Sequence, residues 1–225
     1  MVGGRYKVVR LSDATTEPVS VADVKNFLHV SSGYTNDDAL IASLITSARW
    51  ECESRCDRAF LSTTFKLILD NFPAYAQRFS NILPALAFGS GWLGNQYVGM
   101  NQGAIRFPYA PLLSVESISY TASDGSIQSL SVDPSDKKVV IVGGTPGEMI
   151  PYFGQIWPVT QNTIGAVNII YNAGYGDDAG TVPPPVYTAI LFLAAHYYQV
   201  RTGADIEESP VINNSLAAVA TGSYV

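Results

Sequence analysis

The spacing of apolar positions divides the chain into helical ends and a strand-rich middle. In "EPVSVADVKNFLHV" the residues Val21, Val24 and Leu28 recur at helical spacing, which predicts a helix over about residues 20–29. Ser20 stands where an N-cap belongs, Asp23 completes a weak capping box, and Val19 and Val24 occupy the staple positions. A longer helix begins at Asn36 or Asp37, with acids in its first turn, where the helix dipole favours them. Its stripe is Ile41, Leu44, Ala48, Cys52, Cys56 and Ala59. Arg49, Glu53 and Arg58 fall largely off that stripe, and Glu51 with Arg55 makes an ordinary solvated pair four residues apart. A third helix follows Pro183-Pro184-Pro185, with Ala189, Ile190, Leu193, Ala194 and Tyr197 at helical spacing and proline suited to the first turn.

Between these helices the period falls to two. "STTFKLILDNFP" alternates Phe65, Leu67 and Leu69 with Lys66, Ile68 and Asp70, a strand that ends by Pro73. Val115, Ile118 and Tyr120 mark another, Asp124-Gly125 a hairpin turn, and Ile127 to Val132 its return partner. "KKVVIV" and "GAVNIIYN" read as further strands, joined by a Gly- and Pro-rich stretch with a short strand and a long loop. No βαβ alternation occurs, so a parallel sheet is not expected. The predicted class is α+β: about three helices packed together beside a small antiparallel β-sheet.

Two segments lie outside these periods. Residues 74–104 carry Tyr75, Phe79, Phe88, Trp92 and Tyr97 among frequent glycines, and loops of that length are usually functional or disordered. They are expected to be an inserted contact loop within a domain spanning 1–201. Residues 202–225 are small, polar and weakly periodic and read as a C-terminal arm. Ile206, Val211, Ile212, Leu216 and Tyr224 are its candidate anchoring side chains.

Composition sharpens the picture. Of 225 residues, 14% are charged against a usual share of about 25%, while 47% are hydrophobic. With so few charges to cover it, the surface is expected to assemble with other surfaces. The net charge of −6 and the single adjacent basic pair, Lys137-Lys138, exclude a basic nucleic-acid footprint. No stretch approaches the roughly 20 apolar residues of a membrane span, and no apolar signal core opens the chain, so synthesis in a reducing cytoplasm is expected.

The one stretch with a chemical look is "YNAGYGDDAG". Tyr175-Gly176-Asp177-Asp178 matches the metal-holding motif of viral RNA polymerases, but Ala-Gly-Thr-Val-Pro-Pro-Pro follows, which cannot give the second central strand that site needs. A calcium loop fails too, because the next acid is Asp205. Gly174 and Gly176 suit a turn that needs positive φ. Cys52 and Cys56, four apart on one helix face, have parallel side chains and too few histidine partners (His29 and His196) for a zinc site. They read as buried, inert thiols. His196 reads as a structural helix histidine, and Glu207-Glu208 lies in the arm, a poor place for preorganised acid–base work. No catalytic set, cofactor or metal is predicted, and no enzyme is required.

The order of these elements resembles the head–tail connector (adaptor) proteins of tailed bacteriophages. That family opens with a Pro-Val-Ser/Thr-Leu helix and a second helix starting Asp-(Asp/Glu)-x-Leu-Ile, then a turn and a strand ending in Phe-Pro. Pro18, Val19, Leu28, Val30, Asp37, Asp38, Leu40, Ile41, Arg58, Leu61, Phe72 and Pro73 stand at those places. "PLLSVESISYTASDG" looks like its hairpin, and "AGYG" with "VPPPVYTAILFLAAHYY" like its closing strand, turn and helix. The resemblance covers about residues 18–201. It departs in the length of 74–104 and in Cys56-Asp57, where a Thr-Gly or similar pair is common.

The resemblance implies a structural virion protein in the neck. It would be a homo-oligomeric ring, commonly twelve-fold, beneath the portal protein. The ring would extend the channel through which genomic DNA passes without sequence preference, and would offer a docking surface to stopper or tail proteins. On that reading 202–225 meets the portal, 74–104 makes subunit or tail-side contacts, and Asp177 and Asp178 either face the channel or are plain turn acids. The rivals are a tail-completion or stopper protein of the neck, a metal-dependent hydrolase using Asp177 and Asp178, and a small carbohydrate-binding module suggested by the aromatics of 75–97.

Overall fold

The structure is a computed structural model that describes residues 6–73, 98–99, 103–200, 214, 216 and 217 of the chain. Its order is β1 (Tyr6–Arg10), α1 (Val21–Phe27), α2 (Asp38–Cys56), β2 (Thr63–Leu69), β3 (Val98–Gly99), β4 (Ala104–Phe107), β5 (Leu112–Thr121), β6 (Ile127–Leu130), β7 (Val139–Val142), β8 (Gly147–Pro151), β9 (Val167–Ala173) and α3 (Pro184–Gln199). The class is α+β, as the periods predict. Two differences stand out: β1 precedes the first helix, and the strands form two sheets, ordered β1-β2-β9-β5-β6 and β3-β4-β8-β7.

By contacts the chain forms two compact units. One comprises residues 1–11, 64–108 and 112–172; the other comprises 12–63, 109–111 and 173–225. The first holds the sheets. β1 lies antiparallel on β2, with Tyr6 opposite Leu69 and Arg10 opposite Phe65. β2 and β9 each bury every second residue, including Phe65, Leu67 and Leu69 on one and Val167, Ile169 and Tyr171 on the other. Such alternation suits strands in the interior of a sheet covered on one face. Side chains of both sheets meet in one core, where Tyr171 stacks on Phe65 at 5.6 Å, tilts against Phe107 at 4.9 Å and donates its hydroxyl to the Pro108 carbonyl. Gly147 permits this approach: a Cβ there would lie 2.2 Å from the Leu112 Cβ. The Asp124-Gly125 turn closes the β5–β6 hairpin, with Gly125 at φ 85° and the Asp124 carboxylate accepting from the Ser126 N–H.

The helical unit follows its capping signals. Ser20 caps α1 through a reciprocal box with Asp23, and Val19 and Val24 are both buried. α2 ends at Cys56, and Asp57 turns the chain in the left-handed region at φ 55° while its N–H donates to the Glu53 carbonyl. The core draws Ile41, Ile45, Ala48 and Cys52 from α2 and Val186, Ala189, Ile190, Leu193 and Ala194 from α3. Polar anchors join the elements. Buried Lys25 donates to the Tyr34 carbonyl at 2.6 Å and pairs with Asp38 at 2.8 Å, and the Tyr198 hydroxyl donates to Asp37 at 2.6 Å.

Arg49 and Glu53 overturn an expectation. Both fall off the apolar stripe of α2, yet each is 1% exposed. The reason lies 36 and 32 residues upstream. The Arg49 guanidinium donates to Asp13 at 3.1 and 3.2 Å and to Glu17 at 2.7 Å, and Nη1 reaches Glu53 at 3.3 Å. Glu53 also accepts the Phe60 N–H at 3.0 Å. A buried guanidinium is tolerated when its donors are matched by carboxylates in this way. Arg58, likewise off the stripe, is 5% exposed, and its guanidinium lies 3.4 Å from the Tyr175 hydroxyl.

Candidate functional site

The "YNAGYGDDAG" stretch runs from β9 into the helical unit. Gly174 lies at φ 139°, and a Cβ there would come within 2.5 Å of the Leu61 carbonyl, so glycine is required by conformation and by space. Its N–H donates to the Pro111 carbonyl, the Tyr175 N–H to Phe60, and the Ser62 N–H to Gly176. This pairing turns the chain toward the proline-led α3. Asp177 and Asp178 follow, both exposed. The turn is held by backbone oxygens: Thr16 donates its hydroxyl to the Asp177 carbonyl and Thr181 to the Asp178 carbonyl. The carboxylates are left to solvent, and among the described residues no group of three or more His, Cys, Asp or Glu is arranged to hold a metal ion.

Both thiols are buried, which favours their protonated form. Burial pushes Cys52 up to about 12 and Cys56 up to about 11, and the Cys56 thiol donates to the Leu216 carbonyl at 3.6 Å. Burial works against the charge of Arg49, but the hydrogen bonds it donates to Glu17 and Asp13 and the field of Glu53 outweigh it and hold the guanidinium above its ordinary range. Burial likewise raises Asp13, and the bond from Arg49 overrides it, leaving that carboxyl below the usual range. These groups are matched to one another within the fold, so their perturbation reads as structural.

Of the candidate interface residues, Leu216 is described: it is 4% exposed and packs into the core cluster of the helical unit. Tyr75, Phe79, Phe88, Trp92, Tyr97, Ile206, Val211, Ile212 and Tyr224 lie outside the described residues. The segment 152–166 between β8 and β9, expected as a long loop, holds exposed apolar side chains that the spacing did not single out. It exposes Phe153 by 95%, Ile156 by 73%, Val159 by 74% and Ile164 by 87%. The available signal was apolar side chains without a period in a loop rich in Gly and Pro. Among the described residues no helix is long and apolar enough to cross a membrane.

The fold, with its three helices and two antiparallel sheets, is shared by chains of solved particles. The chain matches, at 19% identity and a TM-score of 0.65, a chain of the neck of an empty GTA particle computed with C6 symmetry, covering 93% of this chain and 94% of that one. It matches a chain from the virion of a native gene transfer agent (GTA) particle at 19% identity and a TM-score of 0.66, covering 93% and 92%. A chain from the neck of a native GTA particle computed with C12 symmetry matches at 18% identity and a TM-score of 0.62, covering 94% and 93%. No family model and no curated protein matches the sequence.

Proposed function

We propose that this chain is a structural protein of a virion neck, a head–tail adaptor that forms a ring beneath the portal and receives the stopper or tail. The observation that carries the proposal is the end-to-end fold match to chains of GTA necks computed with C6 and C12 symmetry, which leaves neither chain with a large unmatched domain. A twelve-fold ring is the reading those symmetries favour. The low charge supports assembly, and the net charge of −6 suits a channel that DNA slides through rather than one that grips it. In this reading the exposed Asp177 and Asp178 add negative charge to the channel wall. Residues 202–225 act as arms on the portal, where many weak contacts in one ring sum to a strong one. Residues 74–104 make the subunit or tail-side contact. The chain works by shape and multivalent contact, without catalysis.

The test is electron microscopy of particles assembled without this chain. The expected product is filled heads that end at the portal and carry no tail. Particles with complete necks and tails would overturn the proposal.

A further inference from the structure

From Met149 to Gly176 the chain carries no Asp, Glu, Lys or Arg. Within that run, residues 152–166 hold Phe153, Ile156, Val159 and Ile164 in solvent. The loop is pinned rather than loose. Trp157, 7% exposed, stacks on Phe72 at 4.8 Å with the rings 2° from parallel, and its Nε1 donates to the Gly103 carbonyl at 2.7 Å. The Gln161 N–H donates to the Thr121 carbonyl at 3.0 Å, and the Gly165 N–H to the Asp70 carboxylate at 3.0 Å. With the indole committed inward, the neighbouring apolar side chains are presented outward in a set geometry. Such preorganisation lowers the entropic cost of docking, and exposed apolar side chains in number mark a contact surface.

The occupant has to be uncharged where it meets the loop, since a charge buried there would find no partner. Nucleic acid and acidic peptides are poor fits for that reason. The same chain supplies a suitable surface in its helical unit. On α2, Leu40, Ser43, Ser47 and Trp50 follow one another at helical spacing and are all exposed. The one charge between Asp38 and Glu51, Arg49, is turned inward onto its own carboxylates. Trp50, 50% exposed, donates its Nε1–H to Asp13 and borders an open groove of about 470 Å³ lined by Thr46, Ser47, Ser54 and Glu51, whose carboxylate is already paired with Arg55 at 2.8 Å. A ring of identical chains needs two unlike patches on each copy, one to give and one to receive. Resting on the ring reading above, we propose that residues 152–166 of one copy dock on the Leu40–Trp50 face of α2 of the next, with Phe153 and Ile156 as the leading side chains.

The experiment uses the full chain in three forms: wild type, the loop variant Ile156→Asp/Ile164→Asp, and the face variant Ser47→Glu. Self-association is followed by sedimentation equilibrium up to millimolar concentration. Wild type is expected to associate, and each variant to associate about a hundred-fold more weakly, as burying an uncompensated charge requires. Mixing the two variants is expected to restore dimers but no larger species, because each supplies the patch the other lacks. The monomer melting temperature should not move in either variant.

Wild-type chains that stay monomeric throughout, variants that associate as wild type does, or a mixture that forms no dimers would each overturn the contact. Variants that associate normally but fail to recruit a tail would assign the loop to another neck protein. A lowered monomer melting temperature would place the cover within the chain itself. None of these outcomes touches the neck reading, which fails only if particles keep their necks without this chain.

Discussion

Replacing Arg49 with Met tests whether the charge cluster of the helical unit is held by that one guanidinium. The substitution keeps length and apolar bulk but removes the guanidinium donors that face Asp13, Glu17 and Glu53. Asp13 and Glu17 keep 34% and 27% of their side-chain surface in solvent and can turn outward, and they retain bonds from Trp50 and Thr46. Glu53 cannot follow them. Its side chain is 1% exposed and is held in place by the Phe60 N–H, which donates to it at 3.0 Å. Removing one partner of a buried pair costs about 3–5 kcal/mol, mostly the penalty of the charge left behind. A loss in that range is expected in urea unfolding followed by helix circular dichroism. The double variant Arg49→Met/Glu53→Gln removes the stranded charge and lets the amide oxygen keep the Phe60 bond, so it should recover about half of the loss. A single-variant loss below about 1 kcal/mol would refute the reasoning, as would a double variant no more stable than the single.

Two further outcomes follow from the same unit. Asp57→Gly removes a side chain from the left-handed region and should stabilise by about 0.5–1 kcal/mol, which thermal melting would detect. Neighbouring protein atoms partly desolvate the carboxyl of Asp57, an exposed residue, and hold it above its ordinary 3.8, so ionisation is a cost borne by the fold; that cost is absent below 3.8 and develops as pH rises from there through the folded value. The gain should therefore be larger at pH 7 than at pH 3, and an equal gain at both would leave only the backbone effect. Leu216→Ala should cost about 2–3 kcal/mol in the isolated chain if the residue is core, as its 4% exposure implies; an unchanged melting temperature with impaired ring or portal attachment would assign it to an interface instead.

What the sequence determined by itself is everything carried by short-range chemistry. Ser20 and Asp23 announce the start of α1 because a capping box closes within four residues. Asp124-Gly125 and Gly174 mark turns because their conformations exclude most other residues. Phe65, Leu67 and Leu69 show a buried strand face through a period of two.

Tertiary structure decided what depends on distant partners. Nothing in the spacing of α2 places Arg49 inside, because its burial rests on Asp13 and Glu17 arriving from another segment. Strand β1 is five residues without a strong period, made a strand by its register on β2. The outward set of Phe153, Ile156, Val159 and Ile164 follows from Trp157 finding Phe72, a contact between residues far apart in the chain. A period records which face of one element is apolar. It does not record which remote side chain will meet that face, and the buried charges and exposed apolar residues of this chain both turn on such meetings.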